Sequence, residues 1–217
     1  LAHIGPPMLP RPMKPKVFAA IVFIPLIAGL CQSAGGSIAE HESQEEMMTS
    51  PRVWELYAVK YGTLIERMRR ESFVKLDPHD DGPMPIDYYV WVAVSPEQTI
   101  VIDTGFDDAE ATKRGRCLIR SVTEGLATIG VDAARVSDVI VTHLHYDHIG
   151  GHAQFPAAKF HLQEKEMQFA TGPHMCSHVV NASFTPDHIA DMVRNVFAGR
   201  VSFSDGTSEI APGITVH

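Results

Sequence analysis

Cysteine is scarce, with three in 217 residues, and no two of them stand at the short paired spacing of a structural zinc site. A zinc knuckle and a dense disulfide framework are both excluded, and Cys117 and Cys176 read as two buried thiols. Positive charge is short as well: 18 Lys and Arg face 26 Asp and Glu, for a formal charge of −8. No basic stripe interleaved with aromatics offsets that balance, which argues against nucleic acid as a partner. There is no apolar run of about 20 residues, the length needed to span a bilayer as a helix, and no repeat at solenoid periods. What is present is an ordinary globular composition, 45% hydrophobic and 20% charged, in a chain long enough for one domain with a sizeable core.

The longest approach to an apolar run lies at the start. Met13 is the expected translation start, and Lys14 and Lys16 then precede the mostly apolar Val17 to Leu30 and the small residues Ser33, Ala34, Gly35 and Gly36. A short positive region, a short apolar core and small residues form the layout of a secretory signal peptide. Residues 1–39 are therefore expected to be an upstream extension with a signal peptide. The mature protein would be secreted or periplasmic, and cytoplasmic only if that segment is spurious. Leu30 is too bulky a neighbour for Cys31 to be lipidated. Residues 40–51, polar, acidic and without periodicity, read as a linker, and 52–217 as the domain.

Within the domain, the alternation Trp54, Leu56, Ala58 reads as a strand, with a turn at Gly62 starting a second. Asp77 to Pro85 reads as a loop. Tyr88–Val94 and Thr99–Ile102 form an expected hairpin turning at Ser95, Pro96 and Glu97. Asp107 to Ile129 is broadly helical with a break near Gly115. Ser137–Val141 and Lys159–Leu162 read as strands, Gln163–Ala170 and Pro186–Phe197 as helices, and Val201–Phe203, Ser208–Ile210 and Ile214–His217 as strands again. This order fits a layered α/β (α+β) domain.

The chemistry concentrates in Thr142-His143-Leu144-His145-Tyr146-Asp147-His148-Ile149-Gly150-Gly151. Three imidazoles and a carboxylate in six positions are the borderline ligands that zinc and its neighbours prefer, and a catalytic zinc uses about three such ligands. Residues two apart on an extended segment share a side, so His143 and His145 are expected to hold one metal as the chain leaves its strand. Asp147 continues that side, and His148 joins only if the backbone bends, a freedom that Gly150 and Gly151 supply. The expected arrangement is two adjacent metals, with Asp147 and His148 on the second. His152, His161 and His188 read as a helix-start residue, a strand residue and a helix-surface residue. His174 and His178 fall in a loop over the cleft.

Together with Asp103-Thr104-Gly105, these residues resemble the metallo-β-lactamase superfamily. Within it, the segments around Leu56–Thr63, Ile86–Trp91, Asp103–Phe106 and His143–His148 resemble the N-acyl homoserine lactonase branch. The resemblance implies an αββα sandwich, incomplete at the C-terminus, and two zinc ions on His143, His145, Asp147 and His148. It also implies that Asp103 orients a ligand from behind the site and that Asp147 shuttles a proton in catalysis. The implied reaction is opening of the lactone ring of an N-acyl homoserine lactone, a small-molecule substrate, in quorum quenching. The alternatives are hydrolysis of a thioester, phosphotriester or β-lactam, or an inactive fragment. The family's third His, bridging Asp and last His have no counterpart here, and His217 follows Val216 where the third His would follow Gly. The chain as written is accordingly expected to be truncated, inactive and prone to aggregate.

Overall fold

The computed structural model describes residues 52–75, 77 and 81–217. The expected signal peptide, the 40–51 linker and part of the 77–85 loop lie outside the described residues. In chain order the elements are β1 (Glu55–Leu64), β2 (Ile86–Val94), β3 (Thr99–Ile102), α1 (Asp108–Arg114), β4 (Cys117–Leu118) and α2 (Val122–Ala127). There follow β5 (Asp138–Val141), α3 (Tyr146–Ile149), β6 (Lys159–Gln163), α4 (Glu164–Ala170), α5 (His178–Asn181), α6 (Pro186–Phe197), β7 (Val201–Ser204), β8 (Ser208–Ala211) and β9 (Ile214–Val216). The first seven strands form one sheet in the order β4-β1-β2-β3-β5-β6-β7, and β8 and β9 form a separate hairpin. Strands β3, β5, β6 and β7 run parallel, joined by helical crossovers.

The period of two in the central strands assigns their faces. Val139 and Val141 of β5 join the large core under the helices, while Ile140 between them turns to the opposite face. There Ile140 and Ile100 pack with Ala211, Trp54, Ile214 and Val216, so the β8–β9 hairpin is the start of a second layer. Trp54 ties into it through an indole N–H donated to the Pro212 carbonyl at 3.0 Å. The mixed α/β architecture is that of the expected sandwich. Among the described residues no helix is long and apolar enough to cross a membrane.

Three local expectations change. Gly62 is not a turn: β1 runs through it with a bulge, Lys60 facing Tyr89 and Gly62 facing Tyr88, so that Tyr61 is the extra residue. A Cβ at Gly62 would lie 3.2 Å from the Cys117 carbonyl and 3.3 Å from the Phe106 ring, and the bare backbone is what lets β4 close on it. The 107–129 stretch does break at Gly115, whose left-handed conformation (φ 64°) ends α1, but the helix does not resume directly. The two residues of β4, paired with β1, then intervene. Cys117 and Cys176 are exposed and unpaired, not buried: Cys117 lies on the edge strand β4 and Cys176 in the connection between α4 and α5.

Candidate metal centre

The carboxyl end of β5 delivers the cluster. His143 and His145 flank the buried Leu144, whose N–H donates to Glu166 Oε1 of α4 at 2.8 Å. The bend comes earlier than the glycines: His145 is extended and caps α3, a single helical turn from Tyr146 to Ile149. That turn swings His148 back, so its ring centroid stands 3.8 Å from His143, while His143 and His145 stand at 4.5 Å. His148 Nε2 is 3.6 Å from Asp147 Oδ2, close to the roughly 3.4 Å between two ligands held about 2.1 Å from one tetrahedral ion. Gly150 and Gly151 keep ordinary backbone angles. Their contribution is space: a Cβ at Gly151 would meet the Thr104 carbonyl at 2.2 Å and one at Gly150 the Tyr146 carbonyl at 2.5 Å.

Asp103 lies behind the cluster in a left-handed conformation (φ 65°), buried at 5% exposure. One carboxylate oxygen accepts the Thr142 N–H at 2.8 Å and the other lies 2.7 Å from His148 Nδ1. The Thr142 hydroxyl bridges both oxygens. With Nδ1–H donated to Asp103, the Nε2 lone pair of His148 is directed at the cluster. The turn carrying Asp103 is stitched to the motif by the Thr104 N–H and hydroxyl on the His148 carbonyl and by the Gly151 N–H on the Gly105 carbonyl.

Electrostatics follow from this packing. Burial pushes His143 down, and the neighbouring His148 and His145 add to the effect. Burial also lowers His145, against the pull of Asp147. Burial works the same way on His148, but the hydrogen bond and charge of Asp103 outweigh it and raise that ring. Two imidazoles kept neutral beside a third with a fixed tautomer, plus one carboxylate, make a donor set suited to a borderline divalent ion. Among the described residues no group of three or more His, Cys, Asp or Glu side chains could hold a metal ion as they stand. The fit therefore lies in donor chemistry and adjacency, and the rings would have to turn to converge.

The other candidates go elsewhere. His161 donates to Asp138 at 2.8 Å. His152 is buried and donates to the Ile149 carbonyl. His188 is half-buried, and its Nδ1 has no partner. His174 stacks on Phe169 at 5.6 Å, His178 is an exposed start of α5, and His217 lies 3.0 Å from the Thr207 hydroxyl.

Several residues that hold the site carry no local signature. The Tyr61 hydroxyl donates to the Asp147 carbonyl at 3.0 Å, and burial raises its pKa, so it stays a donor. Phe184 stands edge-on to His145 at 4.7 Å. Arg114 lies 3.9 Å over the Tyr146 ring and donates to the carbonyls of Ala182 and Phe184. The buried Glu110 accepts from Lys113, Arg114 and Thr185. Only Thr142, adjoining the motif, could have been singled out from the sequence.

The family model for the Metallo-beta-lactamase superfamily matches residues 83–213, more than half of the chain. No match is found among curated proteins. Among solved structures, a single-substitution variant of AiiA from B. thuringiensis with bound N-decanoyl-L-homoserine superposes with a TM-score of 0.55 at 16% identity, covering 74% of this chain and 63% of that one. AidC, a dizinc quorum-quenching lactonase in complex with its product, gives 0.55 at 17% identity over 77% and 67%. A probable metal-dependent hydrolase from Staphylococcus aureus gives 0.56 at 13% identity over 77% and 64%. At these identities the likeness is one of fold. The chain spans 62% and 63% of the length of the first structures it matches.

Proposed function

The chain belongs to the metallo-β-lactamase superfamily, and on that premise we propose that the protein is a metal-dependent hydrolase that opens the lactone ring of N-acyl homoserine lactones. The observation that carries the reading is the gathering of His143, His145, Asp147 and His148 at the end of β5, with His148 oriented by Asp103. These four side chains would hold the metal, for which zinc suits the nitrogen and oxygen donors. When bound, such an ion lowers the pKa of a water towards about 7 and polarises a carbonyl oxygen.

The chain's own groups do the rest. Asp103 and Thr142 keep the lone pair of His148 pointing inwards. Tyr61 fixes the backbone of Asp147, whose carboxylate is partly open to solvent beside His148. That carboxylate is placed to take a proton from the attacking water and return it to the ring oxygen as the ester bond breaks. Phe184 packs against His145, its ring centroid 4.7 Å away, and limits how far that imidazole can turn. Neighbouring structures with N-acyl homoserines bound, one of them the product complex of the lactonase AidC, support this substrate over a thioester, phosphotriester or β-lactam. We also propose export of the protein, from the segment Lys14 to Gly36.

The test is incubation of the zinc-loaded full-length protein with N-hexanoyl homoserine lactone, followed by proton release and by the mass of the product, which should be one water heavier. Loss of turnover in H148A and D147N supports the assignment. Turnover of a thioester, phosphotriester or β-lactam without lactone opening overturns the substrate.

A further inference from the structure

Two histidines outside the motif meet where α6 packs on the motif's far end. His152 opens the short helical turn His152–Gln154 that follows Gly151. It is buried at 9% exposure, and its Nδ1 lies 3.0 Å from the Ile149 carbonyl. A carbonyl only accepts, so Nδ1 carries the proton and a neutral ring keeps its lone pair on Nε2. That Nε2 is 3.4 Å from Oδ2 of Asp191 on α6, a second acceptor. Two acceptors at this range repel each other unless a positive centre lies between them. A shared proton would draw them into a charge-assisted hydrogen bond of about 2.7–2.9 Å, well short of the separation here. A metal ion with each ligand about 2.1 Å away would hold the pair at roughly 3.4 Å.

His188, one helical turn before Asp191 on α6, supplies a third donor. Its ring centroid stands 6.0 Å from that of His152, with the planes at 70°, near the roughly 5–6 Å between two imidazoles that share an ion. Its Nδ1 is buried and without a partner. Burial, and then the neighbouring His152, lower its pKa, which favours the neutral form that binds metal. The bare backbone of Gly150 admits the ring, since a Cβ there would lie 3.0 Å from it. Asp191, at 42% side-chain exposure, leaves one side open to water. We propose that His152, His188 and Asp191 bind a divalent transition ion of the zinc class, separate from the candidate metal centre, which fastens α6 to the end of the motif. As they stand the three do not enclose an ion, and closure requires the His188 ring to turn about its side-chain bonds. Two imidazole nitrogens and one carboxylate select zinc, cobalt, nickel or copper over magnesium and calcium, which take oxygen ligands.

The experiment titrates zinc into metal-free protein by calorimetry, with magnesium and calcium as controls, and follows thermal unfolding in parallel. Wild type is compared with H188A and D191N, and both substitutions are repeated on H143A/H145A/H148A, which lacks the imidazoles of the candidate metal centre. We expect the triple variant to keep one zinc-binding event that raises its Tm. H188A should remove that event, D191N should weaken it at least tenfold, and neither magnesium nor calcium should replace zinc in it. On the wild-type background H188A should bind one ion fewer. Should the triple variant fail to fold, the ion count in wild type against H188A decides, and the ring-proton resonances of His152 and His188 should shift together as zinc is added. A folded triple variant that binds no zinc, or an H188A protein that binds as many ions as wild type, overturns the proposal and leaves His152 and Asp191 as an ion pair.

Discussion

Asp103 and His148, 45 residues apart in the chain, are joined by a contact of 2.7 Å between a carboxylate oxygen and Nδ1. Two separate demands meet at Asp103: a left-handed backbone, which Asn and Asp tolerate best among residues with a side chain, and a charged acceptor for both Thr142 and His148. D103N satisfies the first demand only. We expect it to fold with little loss in Tm but to bind zinc about 10–100-fold more weakly, measured by competition with a chelating dye. D103A should also lose about 1–3 kcal/mol in urea unfolding, since the Thr142 N–H loses its acceptor.

Zinc itself should stabilise the fold. At a hundred times its Kd it adds about 2.7 kcal/mol, a rise in Tm of roughly 5–10 °C for a chain of this size, reversed by chelator. In H145A and H148A the rise should shrink to a fraction of that. An equal rise in the variants would place the metal elsewhere.

Crowding at the motif's end makes Gly151 irreplaceable. G151A forces a Cβ to within 2.2 Å of a backbone oxygen that cannot move independently, and should cost about 2–3 kcal/mol. G82A, where nothing lies within 4 Å, is the control and should unfold close to wild type.

Glu110 gives the stability an acid limb. Burial alone would raise its carboxyl, but the Thr185 and Lys113 hydrogen bonds and the Arg114 charge hold it below the usual carboxylate value. A group lowered on folding contributes stability that is complete above its unfolded value of about 4.3, and this is lost as pH falls through the folded one. E110Q should be less stable than wild type at pH 7 by about 2 kcal/mol. The gap should close as pH is lowered from 5 towards 3. Chemical denaturation at several pH values reads both.

Arg114 acts where Lys could not. Its planar fork reaches two carbonyls and Thr185 while the plane covers Tyr146. R114K should release the 182–185 segment, costing about 2 kcal/mol and raising the rate of proteolytic cleavage near Phe184.

The parts of the fold that were legible are those whose signal is local. The apolar run Val139-Ile140-Val141 marked β5, though not which residue faces which core, Ser95-Pro96-Glu97 marked the hairpin, and Pro186 marked the start of α6. The ligand types were legible because they sit within six residues. Contacts that bridge distant segments left no trace: Tyr61 with Asp147, Glu166 with Leu144, Arg114 with Phe184. The bulge at Gly62 and the two-residue β4 were misread for the same reason, since each exists only through its partner strand. The bend at α3 was placed too late because the glycines following it suggested flexibility. Their function is instead to let two backbones touch.

That touching has a kinetic meaning. The amides of Thr104, Thr142 and Gly151 all donate across the junction between the Asp103 turn and the motif, so none can be freed by a local fluctuation that leaves the others in place. Their hydrogens should exchange with solvent only at the pace of whole-domain unfolding, while those of α5, a four-residue helix, should exchange far sooner. The floor beneath the histidines would then be the most slowly exchanging surface in the molecule, and whatever opening a substrate requires must come from the segment above it.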